Sequence, residues 1–360
     1  MQRRFFHTFD TLRFLAFFKV FLLHIPIAGF PIFSYLKAGG GIGVVFFFVL
    51  SGFLISYIIF HEKETTGKFN LYYFYLRRIL RIWPLYFLMI LFAFATPYIL
   101  SIVKINSSPE GYEPAWWMSC LFLENYKMLF TGMEPNVSPL GVMWSLCIEE
   151  HFYLLWGLSF LFIKLKHVPV FLGISVLASI IANGIFHYQN WQTIEISTNL
   201  IYFCAGAIPA YLLTTKKEAF EEKINRIPIF LKALMLVLCL VFVIVSPHTS
   251  NDWRWLYEPI IFSVLFACLI CIVIPAENYF KVSDSNILSR LGVWTYGLYL
   301  YHTIVINLFY QLSLRFQINL SQFLPAILFF MASLVTTIVI SAFSYYLFEN
   351  RFLKLKKYFY

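Results

Sequence analysis

The chain has 360 residues, of which 60% are hydrophobic, 21% aromatic and 12% charged, with a formal net charge of +9 and a mean hydropathy of +0.75. A soluble globular domain is about half apolar and about a quarter charged, so this composition excludes an ordinary soluble domain and indicates a protein embedded in a bilayer. The basic residues lie between apolar runs, where membrane topology accounts for them, so we expect no nucleic-acid partner.

Apolar runs of about 20 residues, the length that crosses a bilayer, predict an all-α membrane protein with about ten transmembrane helices. The predicted spans are 11–29, 41–60, 83–103, 142–163, 168–186, 197–213, 229–245, 257–274, 291–310 and 323–347. We expect one integral-membrane domain over residues 1–360. The first run lacks a small-residue cleavage site, so it should remain as a helix.

Charge asymmetry predicts that both termini are cytoplasmic. With Arg3 and Arg4 inside, the even-numbered connections and the tail carry most of the lysines and arginines, as the positive-inside rule requires. The opposite side holds only Lys37, Lys104, Lys127, Arg254 and Arg315. The six cysteines lie mostly in apolar runs, where thiols behave as small hydrophobic groups, so we predict neither a disulfide framework nor a metal site.

The first predicted span carries three basic or titratable residues, Arg13, Lys19 and His24. Arg13 and His24 are eleven residues apart, which places them about 20° apart around a helix and about 16 Å apart along it. Taken alone, Arg13 could be an anchor at the lipid headgroups rather than a functional residue. Taken alone, His24 could be a structural histidine bonded to a neighbouring helix. An ionisable residue at the depth of His24 is nevertheless functional by default. We expect Lys19, on another face, to pair with an acidic residue.

Residues 61–82 are predicted as a basic, aromatic connection on the cytoplasmic side. Within it, Arg77, Arg78 and Arg81 have i, i+3 and i, i+4 spacings, so pairs of them share a helix face. Guanidinium groups clustered at a membrane mouth suit a polyphosphate ligand. The alternative is that they only anchor the helix by the positive-inside rule.

Residues 104–141 form a long connection on the outer side. Its stretch WWMSCLFLENYKMLF predicts a short helix that lies on the outer leaflet or dips into it. Trp116 and Trp117 could stack on a sugar, although an interfacial aromatic belt is the commoner role of such residues.

Two further predicted spans carry polar residues. In MWSLCIEEHFYLLW, Ser145 and Glu149 share a helix face and Glu150 follows. Two adjacent carboxylates inside a span are costly unless they line a wet cavity or pair with a base. In TYGLYLYHTIV, His302 lies at a depth like that of His24. A buried structural histidine and a catalytic histidine are equally compatible with that position.

Together these motifs resemble the integral-membrane acyltransferases of the acyltransferase 3 family, and the resemblance follows the whole chain in order. The matching elements are Arg13 with His24, FFVLSGFLI from Phe47 to Ile55, Arg77 with Arg78, Arg81 and Pro84, the stretch from Trp144 to Trp156, the stretch from Tyr296 to His302, and Glu349 with Arg351. Many members carry Asp where this chain has Val45. Lys19 replaces an apolar residue, and His151 stands where Gln is frequent. Many members append a second catalytic domain, which we do not expect here.

The resemblance implies transfer of an acyl group, with acetyl expected, from cytoplasmic acyl-CoA to a hydroxyl of an extracytoplasmic or lipid-linked carbohydrate, in the plasma (inner) membrane. It implies that His24 is the general base or the nucleophile, that Glu149 or Glu150 orients an imidazole, and that His302 is a further catalytic residue. The expected ligands of the CoA phosphates are Arg13, Arg77, Arg78 and Arg81, and those of the substrate are Ser145, Trp116 and Trp117. The expected partners are a carbohydrate or glycolipid acceptor and membrane lipids, and no metal cofactor is required.

Two other functions remain compatible with the sequence. Intramembrane Arg, Lys, His and Glu could serve a proton-coupled exporter of a small polar solute as relay and binding groups. Inverted repeats and broken helices, which are frequent in transporters, are not evident in the sequence. The chain could also be a scaffold in an envelope-glycan assembly complex, in which case substitution of His24 would be harmless.

Overall fold

The computed structural model describes residues 6–27, 29–102, 110–275 and 279–359, and the regular elements in these ranges are helices. The α-helices are α1 (Thr8–His24), α2 (Pro31–Lys37), α3 (Gly41–Thr66), α4 (Leu71–Ile102), α5 (Trp116–Cys120), α6 (Glu124–Thr131), α7 (Ser138–Gly141), α8 (Trp144–Phe162), α9 (Val168–Tyr188), α10 (Ile196–Thr215), α11 (Lys217–Arg226), α12 (Ile229–Val245), α13 (Arg254–Val273), α14 (Ile287–Val293), α15 (Thr295–Arg315), α16 (Phe323–Ser344) and α17 (Asn350–Leu355).

Each of the ten predicted spans coincides with a long helix, namely α1, α3, α4, α8, α9, α10, α12, α13, α15 and α16. Within the described residues, seven stretches are long and apolar enough to cross a membrane, and they contain α3, α4, α9, α10, α12, α13 and α16. Of the others, α1 has 17 residues and is about 26 Å long, slightly short of the hydrocarbon core. The total of ten spans and the cytoplasmic termini stay predictions. Arg3, Arg4 and Lys104, which entered the charge argument, lie outside the described residues.

Two helix boundaries differ from the prediction. The first predicted span extends to residue 29, whereas α1 ends at His24. Pro26 follows two residues later, and the residue before a proline is disfavoured in the helical conformation, which favours an end of the helix at this point. The predicted connection 61–82 is mostly helical, because α3 extends to Thr66 and α4 begins at Leu71. The arginines therefore lie on the first turns of a 32-residue helix.

The contacts divide the chain into two units built from non-contiguous segments. The first contains the described residues up to Leu23 together with Tyr35–Phe69 and Trp156–Val293, and the second contains His24–Ser34, Asn70–Leu155 and the residues from Trp294 onwards. Because segments of the two units alternate along the sequence, this is not a division into two successive sequence domains.

In the first unit, glycines let the backbones of α3 and α10 touch. A Cβ atom on Gly52 would lie 2.1 Å from the carbonyl oxygen of Phe203, and one on Gly206 would lie 1.9 Å from that of Val49. Close contacts of this kind drive helix association where lipid removes the hydrophobic driving force. Gly52 belongs to the FFVLSGFLI stretch, so this part of the stretch has a packing role.

In the second unit, the segment around α5 and α6 packs against the middle of α4. Tyr86, near the midpoint of α4, donates to the carbonyl oxygen of Ser119 at 2.8 Å, and its ring stacks on Phe122 at 4.2 Å. The stretch that the sequence predicted as one short helix forms two helices, α5 and α6, separated by a turn in which Phe122 has a φ of 58°. The packing agrees with a segment that dips beside the spanning helices.

A buried carboxylate fastens this segment. Glu124 is fully buried and accepts hydrogen bonds from the hydroxyl groups of Tyr112 and Ser119. Burial and the hydrogen bond to Glu124 raise the pKa of Tyr112, so this phenol remains a neutral donor. Two donors for one buried carboxylate satisfy a group that would otherwise be expensive to bury, and they fix the first turn of α6.

Candidate active site

The structure brings two of the predicted site residues, His24 and His302, into direct contact within the second unit. His24 is the last residue of α1, and His302 lies two turns into α15, where it is fully buried. Nε2 of His302 and Nδ1 of His24 are 3.3 Å apart, and the ring centroids are 4.9 Å apart. The sequence predicted a similar depth for both residues, and the contact between their rings agrees with that prediction.

The partners of His302 determine which nitrogens carry protons. Nδ1 of His302 lies 2.7 Å from the carbonyl oxygen of Tyr299, which can only accept, so Nδ1 is the donor. In a neutral imidazole the other nitrogen, Nε2, then accepts, and the hydrogen between the two rings comes from Nδ1 of His24. This assignment leaves the lone pair of His24 on Nε2, away from His302.

Tyr299 also connects the histidine pair to the first turn of α8. Its hydroxyl lies 2.7 Å from Oγ of Ser145 and 3.0 Å from the carbonyl oxygen of Val142, and Oγ of Ser145 lies 3.3 Å from the same carbonyl. The hydroxyl oxygens of Tyr299 and Ser145 and the carbonyl oxygen of Val142 form a triangle. If one hydroxyl donates to the carbonyl, the other can donate to the first hydroxyl, so both hydroxyl hydrogens are used within these three groups. In this arrangement Ser145 supports Tyr299 and does not offer a hydrogen to a substrate.

The two glutamates of α8 have different surroundings. Glu149 accepts from the hydroxyl of Tyr153 at 2.8 Å, one turn further along the same helix. Glu150 accepts from Nε1 of Trp83 on α4 at 3.3 Å, and the charge of Arg78 acts on it. The second oxygen of Glu150 is buried and has no hydrogen-bond partner among the described atoms. The predicted role of orienting an imidazole therefore has no support from the described contacts of Glu150, which lie toward α4.

The arginines of α4 differ in burial. Arg77 is 3% exposed, and its Nη1 donates to the backbone carbonyl of Phe359 at 2.5 Å. Arg78 is half-buried and Arg81 is exposed. The carboxylate of Glu349 interacts electrostatically with Arg81. Arg78 and Arg81 keep the i, i+3 relation that the sequence predicted.

The predicted residues of the first unit have local partners. The side chain of Arg13 bonds to the carboxylate of Asp10, one turn earlier on α1. Lys19 donates to the backbone carbonyl oxygens of Leu36 at 2.6 Å and Ala38 at 2.7 Å. These oxygens at the C-terminal end of α2 take the place of the acidic partner that the sequence predicted. Carbonyl oxygens at a helix end are electronegative and have no partner within the helix, which explains the pairing.

The two tryptophans of α5 lie at the surface of the protein. Trp116 is 67% exposed and Trp117 is 49% exposed, as either an interfacial belt or a sugar platform requires. In the described part of the chain, no three or more His, Cys, Asp or Glu residues are grouped as a metal site requires.

Two residues of the site, Tyr299 and Trp83, were not predicted as site residues from the sequence. Tyr299 belongs to the motif that ends at His302, and its backbone and hydroxyl both contact site residues. Trp83 precedes Pro84 in the arginine motif, and only the contact with Glu150 shows its role. Both residues lie inside motifs that the sequence analysis identified. Tyr299 lies three residues before His302 and Trp83 two residues after Arg81, and this proximity is the signal that could have indicated them.

These features define a helical membrane protein with a buried histidine pair and, on α4 of the same unit, an arginine group at the start of a spanning helix. Residues 6–346 match the family model described as an acyltransferase domain, and the chain belongs to this acyltransferase family. The family that the sequence motifs predicted is confirmed.

Two relatives illustrate the similarity. The peptidoglycan O-acetyltransferase OatA of Listeria monocytogenes is 28% identical over 338 residues, which cover 85% of this chain and 50% of the relative. The O-acetyltransferase OatA of Staphylococcus aureus is 26% identical over 285 residues, which cover 74% of this chain and 46% of the relative. The chain thus spans about half the length of these curated relatives. No solved structure matches the chain.

Proposed function

We propose that the protein is a membrane O-acetyltransferase that moves an acetyl group from cytoplasmic acetyl-CoA to a hydroxyl of an extracytoplasmic or lipid-linked carbohydrate. Membership of the acyltransferase family and the names of both relatives support the reaction class. The observation that carries the proposal is the chain of contacts from the Tyr299 carbonyl through His302 to His24, because it prepares one imidazole nitrogen for chemistry.

His24 is the general base of the proposed reaction. Its Nε2 removes the proton of the acceptor hydroxyl while that oxygen attacks the thioester carbon. The new ester bond forms as the carbon–sulfur bond breaks, and the proton passes from His24 to the departing thiolate. A nucleophilic route through an acetyl-imidazole would use the same nitrogen, so the tautomer assigned by His302 serves both routes.

His302 is a positioning residue. It is buried, does not offer a lone pair to the substrate, and holds the Nδ1 hydrogen of His24. The hydrogen bond from its own Nδ1 to a backbone carbonyl fixes the ring, since a carbonyl on the same helix cannot move independently. His24 is thereby oriented before substrate binds, which lowers the cost of reaching the reactive geometry.

The arginines of α4 are the proposed site for the CoA phosphates, because guanidinium groups pair with phosphate oxygens in fixed geometry. Arg78 and Arg81, which are less buried than Arg77, are the members best placed to meet a ligand. Arg13 stays a predicted ligand of the donor, with its guanidinium bound to Asp10 in the present conformation.

The experiment that tests the function is acceptor-dependent release of CoA by the purified protein in nanodiscs. Acetyl-CoA is supplied with and without peptidoglycan fragments, the acceptor that the name of the Listeria relative suggests first. We expect CoA thiol release that requires the acceptor, together with acetylated fragments in the mass spectrum. Transport of a small solute without CoA release would instead favour the exporter.

A further inference from the structure

The turn between α2 and α3 packs on the end of α1 that carries His24. Gly40, just before α3, lies so close to α1 that an added Cβ would be 2.2 Å from the Cβ of Leu23, the residue before His24. Its neighbour Gly39 has a φ of 67°, a left-handed conformation that favours glycine. Two consecutive glycines therefore allow this turn to touch the last turn of α1 directly.

Lys19 fastens the same turn through hydrogen bonds. It lies on α1 one turn before Leu23, and its ammonium group donates to the carbonyl oxygens of Leu36 at 2.6 Å and Ala38 at 2.7 Å. Both oxygens lie at the C-terminal end of α2, where carbonyl groups lack partners within the helix. One side chain thus joins α1 to a segment that follows it by 17 to 19 residues in the sequence.

The contacts with the turn and with the start of α3 follow one side of α1. A Cβ on Gly43, in the first turn of α3, would lie 2.3 Å from the carbonyl oxygen of Ala16 and 2.8 Å from a methyl carbon of Val20. Residues spaced i, i+3, i+4 and i+7 lie on one side of a helix, and the residues of α1 in these contacts have that spacing. They are Ala16, Lys19, Val20 and Leu23.

His24 depends on such support because α1 ends with this residue. The ends of helices open more readily than their middles, since their last carbonyl groups lack partners within the helix. Lys19 and Leu23 belong to the first unit, and the effect of their contacts reaches His24 along the backbone of α1. Fixing the last turn of α1 therefore fixes the point from which the imidazole extends.

We propose that Lys19 is a positioning residue of the transfer: by holding the turn at residues 36–40 on the last turn of α1, it keeps the backbone of His24 where the imidazole can act on the acceptor hydroxyl. This inference rests on the proposed function, which gives His24 its role. It also explains a lysine within a predicted span, because an apolar residue in its place would deprive two carbonyl oxygens of their donor.

The test compares Lys19→Met with Lys19→Arg in steady-state CoA release in nanodiscs. We expect kcat to fall about 10- to 100-fold in Lys19→Met, because a displacement of about 1 Å can cost about 100-fold in rate. The KM for acetyl-CoA should stay within about twofold of wild type, since the arginines of α4 are unchanged. Lys19→Arg keeps several N–H donors and should recover kcat to within about fivefold of wild type. Lys217→Met changes an exposed lysine on α11 and should have wild-type kinetics.

Two glycine variants test the same contact with Lys19 intact. Gly40→Ala places a methyl group against Leu23 and should displace the turn, so we expect a loss of kcat in the same range. Gly41→Ala, with open space around the new methyl group, should keep wild-type activity. Thermal unfolding of each variant is recorded, and kcat is compared at a temperature at which the variants are folded. If Lys19→Met does not fold, the comparison of Gly40→Ala with Gly41→Ala decides.

Each other result has a definite meaning. If wild type is active and Lys19→Met or Gly40→Ala has the same kcat, the inference is overturned and the proposed function stands. A higher KM with unchanged kcat in Lys19→Met would assign the lysine to donor binding and overturn the inference. Equal loss in Lys19→Met and Lys19→Arg would refute the role of the two hydrogen bonds. If wild type releases no CoA in the presence of an acceptor, the proposed function is wrong and the inference fails with it.

Discussion

Replacing His302 separates the two functions of a buried histidine, filling space and setting the tautomer of His24. In the wild-type protein, Nε2 of His302 lies 3.3 Å from Nδ1 of His24 and accepts its hydrogen. His302→Ala removes this acceptor. His302→Gln keeps an acceptor, because its side-chain oxygen can reach about the position of the lost Nε2. Both variants remove the imidazole ring of residue 302, and they differ in whether an acceptor for the Nδ1 hydrogen of His24 remains.

The magnitude follows from what His24 contributes. A positioned general base accelerates proton transfer by about 10²- to 10⁴-fold, and the lost hydrogen bond itself stabilises by about 1 kcal/mol. Without His302 the imidazole can rotate and exchange tautomers, so we expect kcat to fall about 100-fold in His302→Ala. We expect His302→Gln to stay within about tenfold of wild type. The KM for acetyl-CoA should change little in both, since neither variant alters the arginines of α4 that are proposed to hold the CoA phosphates.

The assay is steady-state CoA release in nanodiscs at matched protein concentration, with thermal unfolding of each variant recorded in parallel. Loss of the buried ring should lower the unfolding temperature in both variants, so stability alone cannot produce the difference in kcat. Equal activity of His302→Ala and wild type would refute the tautomer argument, and so would equal inactivation of the two variants.

Three further predictions concern packing and charge. Gly206→Ala should strongly reduce the folded protein recovered from membranes, because its Cβ would lie 1.9 Å from a backbone oxygen, whereas Gly173→Ala, with open space around the new methyl group, should not. Glu124→Ala should lower stability by about 1–3 kcal/mol, seen as a lower midpoint in thermal unfolding, because the Tyr112 hydroxyl loses this acceptor and Ser119 keeps only its longer bond to the Ala115 carbonyl. Glu150→Gln should tighten CoA binding a few-fold in titrations, since it removes a carboxylate that acts on Arg78, one of the arginines proposed to hold the CoA phosphates.

The sequence predicted the helical architecture because apolar runs are a local signal. All ten predicted spans are helices, and the main boundary errors have local causes. The end of α1 at His24 depends on a proline that the hydropathy of the run conceals. The early start of α4 depends on tyrosines and arginines, which are compatible with a helix but lower its mean hydropathy.

For the candidate active site, the sequence predicted how deep individual residues lie along their helices, but not which of them touch. Spacing placed His24 and His302 at the same level, but only the packing of the second unit shows that the rings touch. The partners of Lys19 are backbone atoms about 17 residues away, which side-chain patterns cannot reveal.

The central claim is that His24 performs the transfer. Cells lacking the gene are complemented with wild type, His24→Ala or His167→Ala at matched membrane levels, and their surface glycans are analysed by mass spectrometry. His167 is an exposed histidine in a connecting turn and serves as the control. We predict acetylated glycans with wild type and His167→Ala and their absence with His24→Ala. Full acetylation by His24→Ala would contradict the account.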